Sequence, residues 1–315
     1  MNSDNPKVTI LLATFNRAHL IAETLDSILA QTYINWECLI VDDHSKDGTE
    51  GVIAKYIAQD SRFEYYLKTD NYQPGLSGTR NYGLDLAAER NAEFIQFFDD
   101  DDIMHPQKLE LQIRPLLDSN ILQFTVCKFQ KILENTNGRK IINPEMNLDS
   151  IHFGNSVLTG KVRINSLCPI FRMSLINRFR FDESLKYAEE WELFVRMGYL
   201  SPVKYLVIDD YLFQYRKHTN SLTMGEDKNY EKMKTSAVVR VKILNFLNKH
   251  NLHTEQSIYF LGKNFLAVQP APELVKKLIN YCKRHEIYSL TTFKLNAGLF
   301  LYRIYSSLMA KLFPI

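Results

Sequence analysis

Apolar runs and helical stripes alternate along the first third of the chain. Val8-Thr-Ile-Leu-Leu-Ala13 is an almost unbroken apolar run, the pattern of a strand covered on both faces. Asn16 is placed to cap a helix whose apolar stripe is Leu20, Ile21, Leu25, Ile28 and Leu29. Trp36 to Val41 predicts a second strand, and Asp47-Gly48 marks the turn into a helix carrying Val52, Ile53, Tyr56 and Ile57. Phe63 to Leu67 predicts a third strand. The Asn71–Gly75 loop then leads to a helix near Gly78 to Ala88, and Phe94 to Phe98 predicts a fourth strand. This βαβαβαβ rhythm predicts a doubly wound, mostly parallel sheet flanked by helices. Ligands of such sheets bind beyond the carboxyl ends of the strands.

After Pro106 the pattern predicts a helix (Leu109, Ile113, Leu116, Leu117) and a strand near Ile121 to Phe129. Asn135 to Asn147 is polar, with Gly138 and Pro144, and reads as a hairpin tip or excursion. A helical segment follows around Glu190 to Tyr199, with strands near Val203 to Ile208 and Tyr211 to Tyr215. From about Glu226 onward strand signals stop and helical periodicity runs on, with breaks near Asn251, Pro270–Pro272 and Glu286–Ser289. The organisation expected is an α/β domain over residues 1–222 and a helical C-terminal region over 223–315.

Composition narrows the classes. The chain has 315 residues, 45% hydrophobic and 23% charged, enough for a large core and unlike a disordered or disulfide-stapled chain. Thirty-eight Lys and Arg against 36 Asp and Glu give +2, so no overall basic field points to nucleic acid. Cys38, Cys127, Cys168 and Cys282 form no CxxC clip and read as reduced thiols of a cytoplasmic protein. The N-terminus lacks a basic signal-peptide start. No stretch reaches the roughly 20 apolar residues of a spanning helix.

The chemistry gathers at the predicted strand ends. Asp99-Asp100-Asp101-Asp102 follows the fourth strand, and four adjacent carboxylates repel one another. A divalent cation, Mg²⁺ or Mn²⁺, relieves that repulsion through oxygen ligands. The plain alternative is a solvated acidic turn with Asp102 capping the next helix. Asp42-Asp43, after the second strand, fits either a turn cap or an acceptor for a nucleoside's hydrogen bonds.

Five segments, in order, resemble family 2 glycosyltransferases of the GT-A fold. They are Val8 to Arg17, Leu25 to Tyr33 with Trp36-Glu37, Ile40 to Thr49, Gly78 to Leu84, and Phe97 to Asp102 with Pro106-Gln-Lys-Leu-Glu110. The likeness runs to about Leu222. It implies inverting transfer of a sugar from a nucleotide-sugar donor, UDP-linked by expectation, to a hydroxyl of a glycan or lipid-linked acceptor in bacterial polysaccharide synthesis. It also implies that Thr14, Phe15, Asn16 and Asp43 hold the base and ribose, with Asp43 favoured over Asp42. Arg80 would reach the donor diphosphate. Asp99-Asp100-Asp101 would be the DXD motif, with Asp101 and Asp99 on the metal and Asp99 and Asp100 beside the donor. Gly78-Thr79-Arg80 also echoes the phosphate loop of sugar nucleotidyltransferases, but it lies after the third strand and lacks flanking glycines.

Tyr187-Ala-Glu-Glu-Trp resembles the family's Glu-Asp-aromatic segment, which puts Glu190 where the catalytic Asp would stand, with Glu189 before it. Tyr215-Arg-Lys-His-Thr-Asn-Ser-Leu222 resembles a later family segment, in which His218 would reach the metal or diphosphate. Two rivals belong to other classes. A phosphoacceptor signalling domain would be about half this length. A catalytically altered or non-catalytic nucleotide-sugar-binding relative is the rival left open by Glu, in place of the usual Asp, at position 190. Acceptor choice is expected to rest on loops near residues 135–147 and 151–166 and on the C-terminal tail. The apolar tail over 294–313, with Arg303 and Lys311, fits either a helix packed on the domain or another subunit, or an in-plane helix peripheral to the inner membrane face.

Overall fold

A computed structural model describes residues 5–135, 138–217, 226–268, 271–287 and 289–312. Strands β1 (Val8–Thr14), β2 (Trp36–Asp42), β3 (Phe63–Leu67) and β4 (Phe94–Asp99) pair in parallel in the order β3-β2-β1-β4. Every residue of β1 and β2 is buried, which is why both read as near-continuous apolar runs. The returning connections are α1 (Ile21–Leu29), α2 (Thr49–Gln59) and α3 (Leu76–Glu89). Register decides where the chemistry lands. Thr14 pairs with Asp42, and Ala13 with Asp99, so the ends of β1, β2 and β4 share one edge. The strand order reverses at β1, and in such sheets the reversal opens a crevice at that edge.

Beyond β4 the sheet becomes mixed. Strand β5 (Ile103–Met104) and helix α4 (Lys108–Asp118) follow the acidic run. Strands β6 (Phe124–Asn135) and β7 (Gly138–Ile142) form the hairpin foreseen around residue 138. After α5 (Phe153–Leu158), strand β8 (Pro169–Arg172) runs antiparallel between β4 and β6, and the short helix α6 (Met173–Ile176) follows. Helix α7 (Glu189–Leu200) leads to β9 (Tyr205–Lys217), which is parallel to β6 and antiparallel to β5. The two strands expected near 203–208 and 211–215 are therefore one. Its register slips around Lys128, a bulge that bends the strand and hides its continuity from the sequence pattern.

Two local expectations change. Asn16 does not cap α1; Leu20 stands at that position, and the Asn16 side chain accepts the Lys46 N–H at 2.7 Å. Asp102 does not cap a helix either. It is fully buried and accepts the Arg216 N–H at 2.7 Å, tying the acidic run to β9.

The remaining helices are α8 (Glu226–His250), α9 (Glu255–Lys263), a π-helical stretch over Asn264–Val268, α10 (Pro272–Arg284) and α11 (Leu290–Leu312). Thr254 and Ser257 form a capping box that starts α9. Leu244, Leu247, Leu261, Val275 and Leu278 are buried in a core continuous with that of the sheet. Thr254 donates to Asn155 at 2.6 Å and Lys242 to Asp182 at 2.6 Å, which docks these helices beside α5 and α7. Helices α5 and α7 cross closely. A Cβ on Gly198 would lie 2.6 Å from Gly154, so this crossing needs hydrogen at both α-carbons. All four cysteines are free and buried. Among the described residues, no helix is long and apolar enough to cross a membrane.

Candidate active site

A cavity of 620 Å³ opens at the common strand edge. Thr14, Phe15, Asp43, Arg80, Asp99, Asp100, Asp101 and Glu190 all line it, so one space unites eight of the positions singled out from the sequence. Asn16 does not line it; its side chain is held by Lys46 in the adjoining loop. His218 lies outside the described residues.

At the β1–β2 end, Phe15 is 51% exposed, which leaves a ring face open for stacking. The two carboxylates after β2 have separate tasks. Asp42 is buried and accepts from Ser45 N–H at 2.8 Å, Ser45 Oγ at 2.7 Å and Tyr65 Oη at 3.0 Å. It holds the turn and lines no part of the cavity. Asp43 lines it, pairs with Lys68 and accepts the Gly75 N–H at 2.6 Å. Gly75 has φ +106°, in the left-handed region that glycine adopts without a Cβ clash. That conformation turns its N–H toward Asp43 at the start of α3.

The acidic run divides as well. Asp100 is buried; it accepts the Phe15 N–H at 3.1 Å, and Arg17 Nε lies 3.3 Å from it. Burial and the neighbouring Asp101 charge push its carboxyl up to about 8, against the pull of Arg17. Asp99 is likewise raised, by burial first, with Arg80 opposing and Asp101 reinforcing. Asp101 lines the cavity, 3.8 Å from Arg17 Nε. Among the described residues, no three His, Cys, Asp or Glu side chains form a metal cage. A divalent cation fits this edge on charge and donor type. It would meet all-oxygen ligands and relieve the carboxylate repulsion that adds to burial in raising Asp99 and Asp100.

Arg80 differs most from expectation. Its side chain is buried and turned to carboxylates, not left open for a diphosphate. It donates to Asp99 at 2.9 Å, to Glu190 at 3.4 Å and to Glu189 at 3.5 Å. Burial alone would lower its pKa, but these three acids outweigh it and raise it. A buried cation among three carboxylates is an organising centre for the site.

Opposite stands the start of α7. Ala188, its N-cap, is left-handed at φ 59°, a strained setting for a residue with a Cβ. It turns Glu189 and Glu190 into the first helical turn, where the helix dipole favours acids. Glu190 accepts the Ser166 N–H at 3.0 Å and bonds its hydroxyl. Its side chain is 23% accessible, against 11% for Glu189, so Glu190 faces the cavity more openly. Burial, then the Glu190 charge, push Glu189 up to about 7. Glu192 is held by Arg196 at 2.6 Å and is not a free base. Val157, Val162, Ile164, Trp191 and Phe194 form the apolar wall on this side. Arg17, Lys68 and Ser166 had not been singled out. Arg17 carries a faint signal as a cation two positions after Phe15. Lys68 and Ser166 act across the fold, and their sequence positions carry none.

The parallel sheet, its acidic strand ends and the added β8–β6–β9 half define a GT-A fold. Residues 9–185 match the family described as Glycosyl transferase family 2, and the chain belongs to it. Over 178 residues it is 34% identical to the Escherichia coli protein named UDP-Glc:alpha-D-GlcNAc-diphosphoundecaprenol beta-1,3-glucosyltransferase WfgD, covering 56% of this chain and 65% of that one. Over 240 residues it is 29% identical to a Campylobacter jejuni GalNAc(5)-diNAcBac-PP-undecaprenol beta-1,3-glucosyltransferase, covering 76% of this chain and 74% of that one. Among solved structures it resembles S. aureus TarS 1-349 in complex with UDP-GlcNAc, at TM-score 0.59 and 20% identity, with 88% and 81% of the two chains covered.

Proposed function

We propose that this chain is an inverting glycosyltransferase that moves a sugar from a UDP-linked donor to a hydroxyl of a lipid-linked saccharide. The carrying observation is that Arg80 binds both Asp99 and Glu190, so the strand-end acids and the acid of α7 face one cavity. The names of the two relatives support the donor and acceptor classes, and a β-linkage made from an α-linked nucleotide-sugar is inversion.

In this reading Phe15 stacks on the base and Asp43, oriented by Lys68 and the Gly75 N–H, accepts its hydrogen bond. Asp101 and Asp99 would hold Mn²⁺ or Mg²⁺, which would supply positive charge at the departing diphosphate. Glu190 takes the proton from the acceptor hydroxyl as that oxygen attacks the anomeric carbon. The bond from that carbon to the diphosphate breaks, and its electron pair leaves with UDP. Ser166 and Arg80 keep the Glu190 carboxylate pointed into the cavity. The apolar wall from Val157 to Phe194 shields the acceptor side from water.

The test is single-turnover transfer from a panel of UDP-sugars to undecaprenyl-diphosphate-linked saccharides with Mn²⁺, with the product anomer read by NMR. Transfer with inversion is expected. Donor binding without transfer to any acceptor would favour the rival role of a non-catalytic nucleotide-sugar binder, and absence of UDP binding would remove both readings.

A further inference from the structure

Helix α11 is apolar on two sides. Thr291, Leu295 and Leu299 are buried against the neighbouring helices. Leu290, Phe293, Phe300 and Leu301 are 65%, 70%, 62% and 63% exposed. At 100° per residue these four fall on one stripe, roughly opposite the buried one. A stripe of this kind, holding two exposed Phe, marks an interaction surface.

The charge beside it says what kind. Between residues 271 and 312 the sequence carries seven Lys and Arg against two Glu. Lys276, Lys277, Lys283 and Arg284 are all exposed on α10. A cleft of 230 Å³ runs between α10 and α11, lined by Lys276, Asn280, Lys283, Asn296, Phe300 and Arg303. Phe300 belongs to both the cleft and the apolar stripe. The cleft puts two lysines and an arginine beside Phe300, so phosphate-binding cations and an exposed apolar stripe adjoin each other. An anionic lipid surface would use both, with acyl chains meeting the stripe and headgroup phosphates meeting the cations.

We propose that the α10–α11 face docks this protein in plane on an anionic bilayer, with the cleft receiving a lipid headgroup phosphate. The proposal deepens the lipid-linked-acceptor reading and rests on it for its purpose, but not for its geometry. Helix α11 packs on α9, and α9 on α5, whose Val157 lines the cavity. A contiguous set of helices thus joins the docking face to the acceptor side of the site.

The test is sedimentation of the full chain with phosphatidylcholine vesicles, with and without phosphatidylglycerol. Binding is expected to the anionic vesicles and to fall with salt. Lys276→Ala and Lys283→Ala should each lower the partition coefficient about five-fold, the equivalent of about 1 kcal/mol per basic residue near such a surface. Phe293→Ser with Phe300→Ser should reduce binding further. UDP titration of every variant serves as the folding control, and its failure in the parent would sink the sugar-transfer reading while leaving vesicle binding to be judged separately. The proposal is overturned if the parent ignores anionic vesicles, or if the lysine variants bind them as the parent does. It is overturned too if the Phe variants merely convert a dimer to a monomer, showing that a second copy covers the face.

Discussion

Arg80 on α3 donates from Nη2 to Asp99 at the end of β4 across 2.9 Å, and both side chains line the cavity. The other arm of the same guanidinium lies 3.4 Å from Glu190 and 3.5 Å from Glu189. A mutation at Arg80 therefore disturbs both ends of the site. Removing one partner of a buried ion pair is strongly destabilising, by about 3–5 kcal/mol. Arg80→Met should show a loss of that order in chemical denaturation. Arg80→Lys should recover only part of it, because a single ammonium cannot span acids that the planar fork reaches together. Parent-like stability of Arg80→Met would show that the three acids are neutralised some other way.

The acid pair after β2 should separate by readout. Asp43→Ala should weaken UDP binding by about 1–3 kcal/mol, as for a lost hydrogen bond to a charged group. Asp42→Ala should instead lower the unfolding midpoint, since it strips the partner from Ser45 and Tyr65. Titration calorimetry and thermal melts on both variants decide it. Equal UDP affinities would overturn the assignment of Asp43.

Stability should depend on pH in a direction set by Asp100. Its carboxyl is raised from 3.8 to about 8, so between those values the folded state binds the proton and the unfolded state does not. The folded state then loses stability as pH rises through about 8. His253, lowered to about 4 from 6.5 by burial and His285, acts with the opposite sign but only below about pH 6.5. From about pH 7 to about pH 9, melts in EDTA should therefore fall. Mn²⁺ should raise the midpoint most at the upper end, where it no longer competes with protons. Asp100→Asn should make the slope in EDTA shallower, the remainder coming from Asp99, Asp102 and Glu189, which burial raises in the same direction; an unchanged slope would assign it to those groups.

Metal dependence should centre on Asp101. Asp101→Asn should reduce Mn²⁺-dependent donor binding and turnover sharply while leaving the fold intact. Should that variant keep full activity while EDTA still inhibits, the cation sits elsewhere.

The base is tested at Glu190. Glu190→Gln should bind UDP and metal nearly as the parent does, and its turnover should fall by about 10²–10⁴. Glu189→Gln should lose little, because that side chain is the more enclosed of the two. Ser166→Ala leaves the carboxylate in place but removes one of the groups that orient it, so its loss should appear in kcat more than in KM. Parent-rate single turnover by Glu190→Gln would move the base to Glu189.

Much of this protein was legible from one dimension. Strands buried on both faces must be apolar throughout, so Val8–Ala13 and Trp36–Val41 announce themselves, and the acids that end such runs must lie at one sheet edge. Asp43 and Asp99 to Asp101 could be placed for that reason, whereas Glu190, at the start of a helix, was named only through the likeness of Tyr187-Ala-Glu-Glu-Trp to the family's Glu-Asp-aromatic segment. The distribution of tasks could not be read in that way. Hydrophobic pattern alone does not separate Asp42, which holds Ser45 and Tyr65, from Asp43, which faces the cavity; only the family resemblance favoured Asp43. Arg80 reads as a phosphate ligand until α3 packs it against Asp99, Glu189 and Glu190, and Ser166 has no role until it meets Glu190, 24 residues away. The bulge in β9 likewise depends on its pairing with β6. Burial and periodicity are properties of neighbours along the chain and survive in the sequence. Hydrogen bonds and charge pairs at the site join residues that only the folded sheet brings within reach, so their partners are decided by tertiary packing.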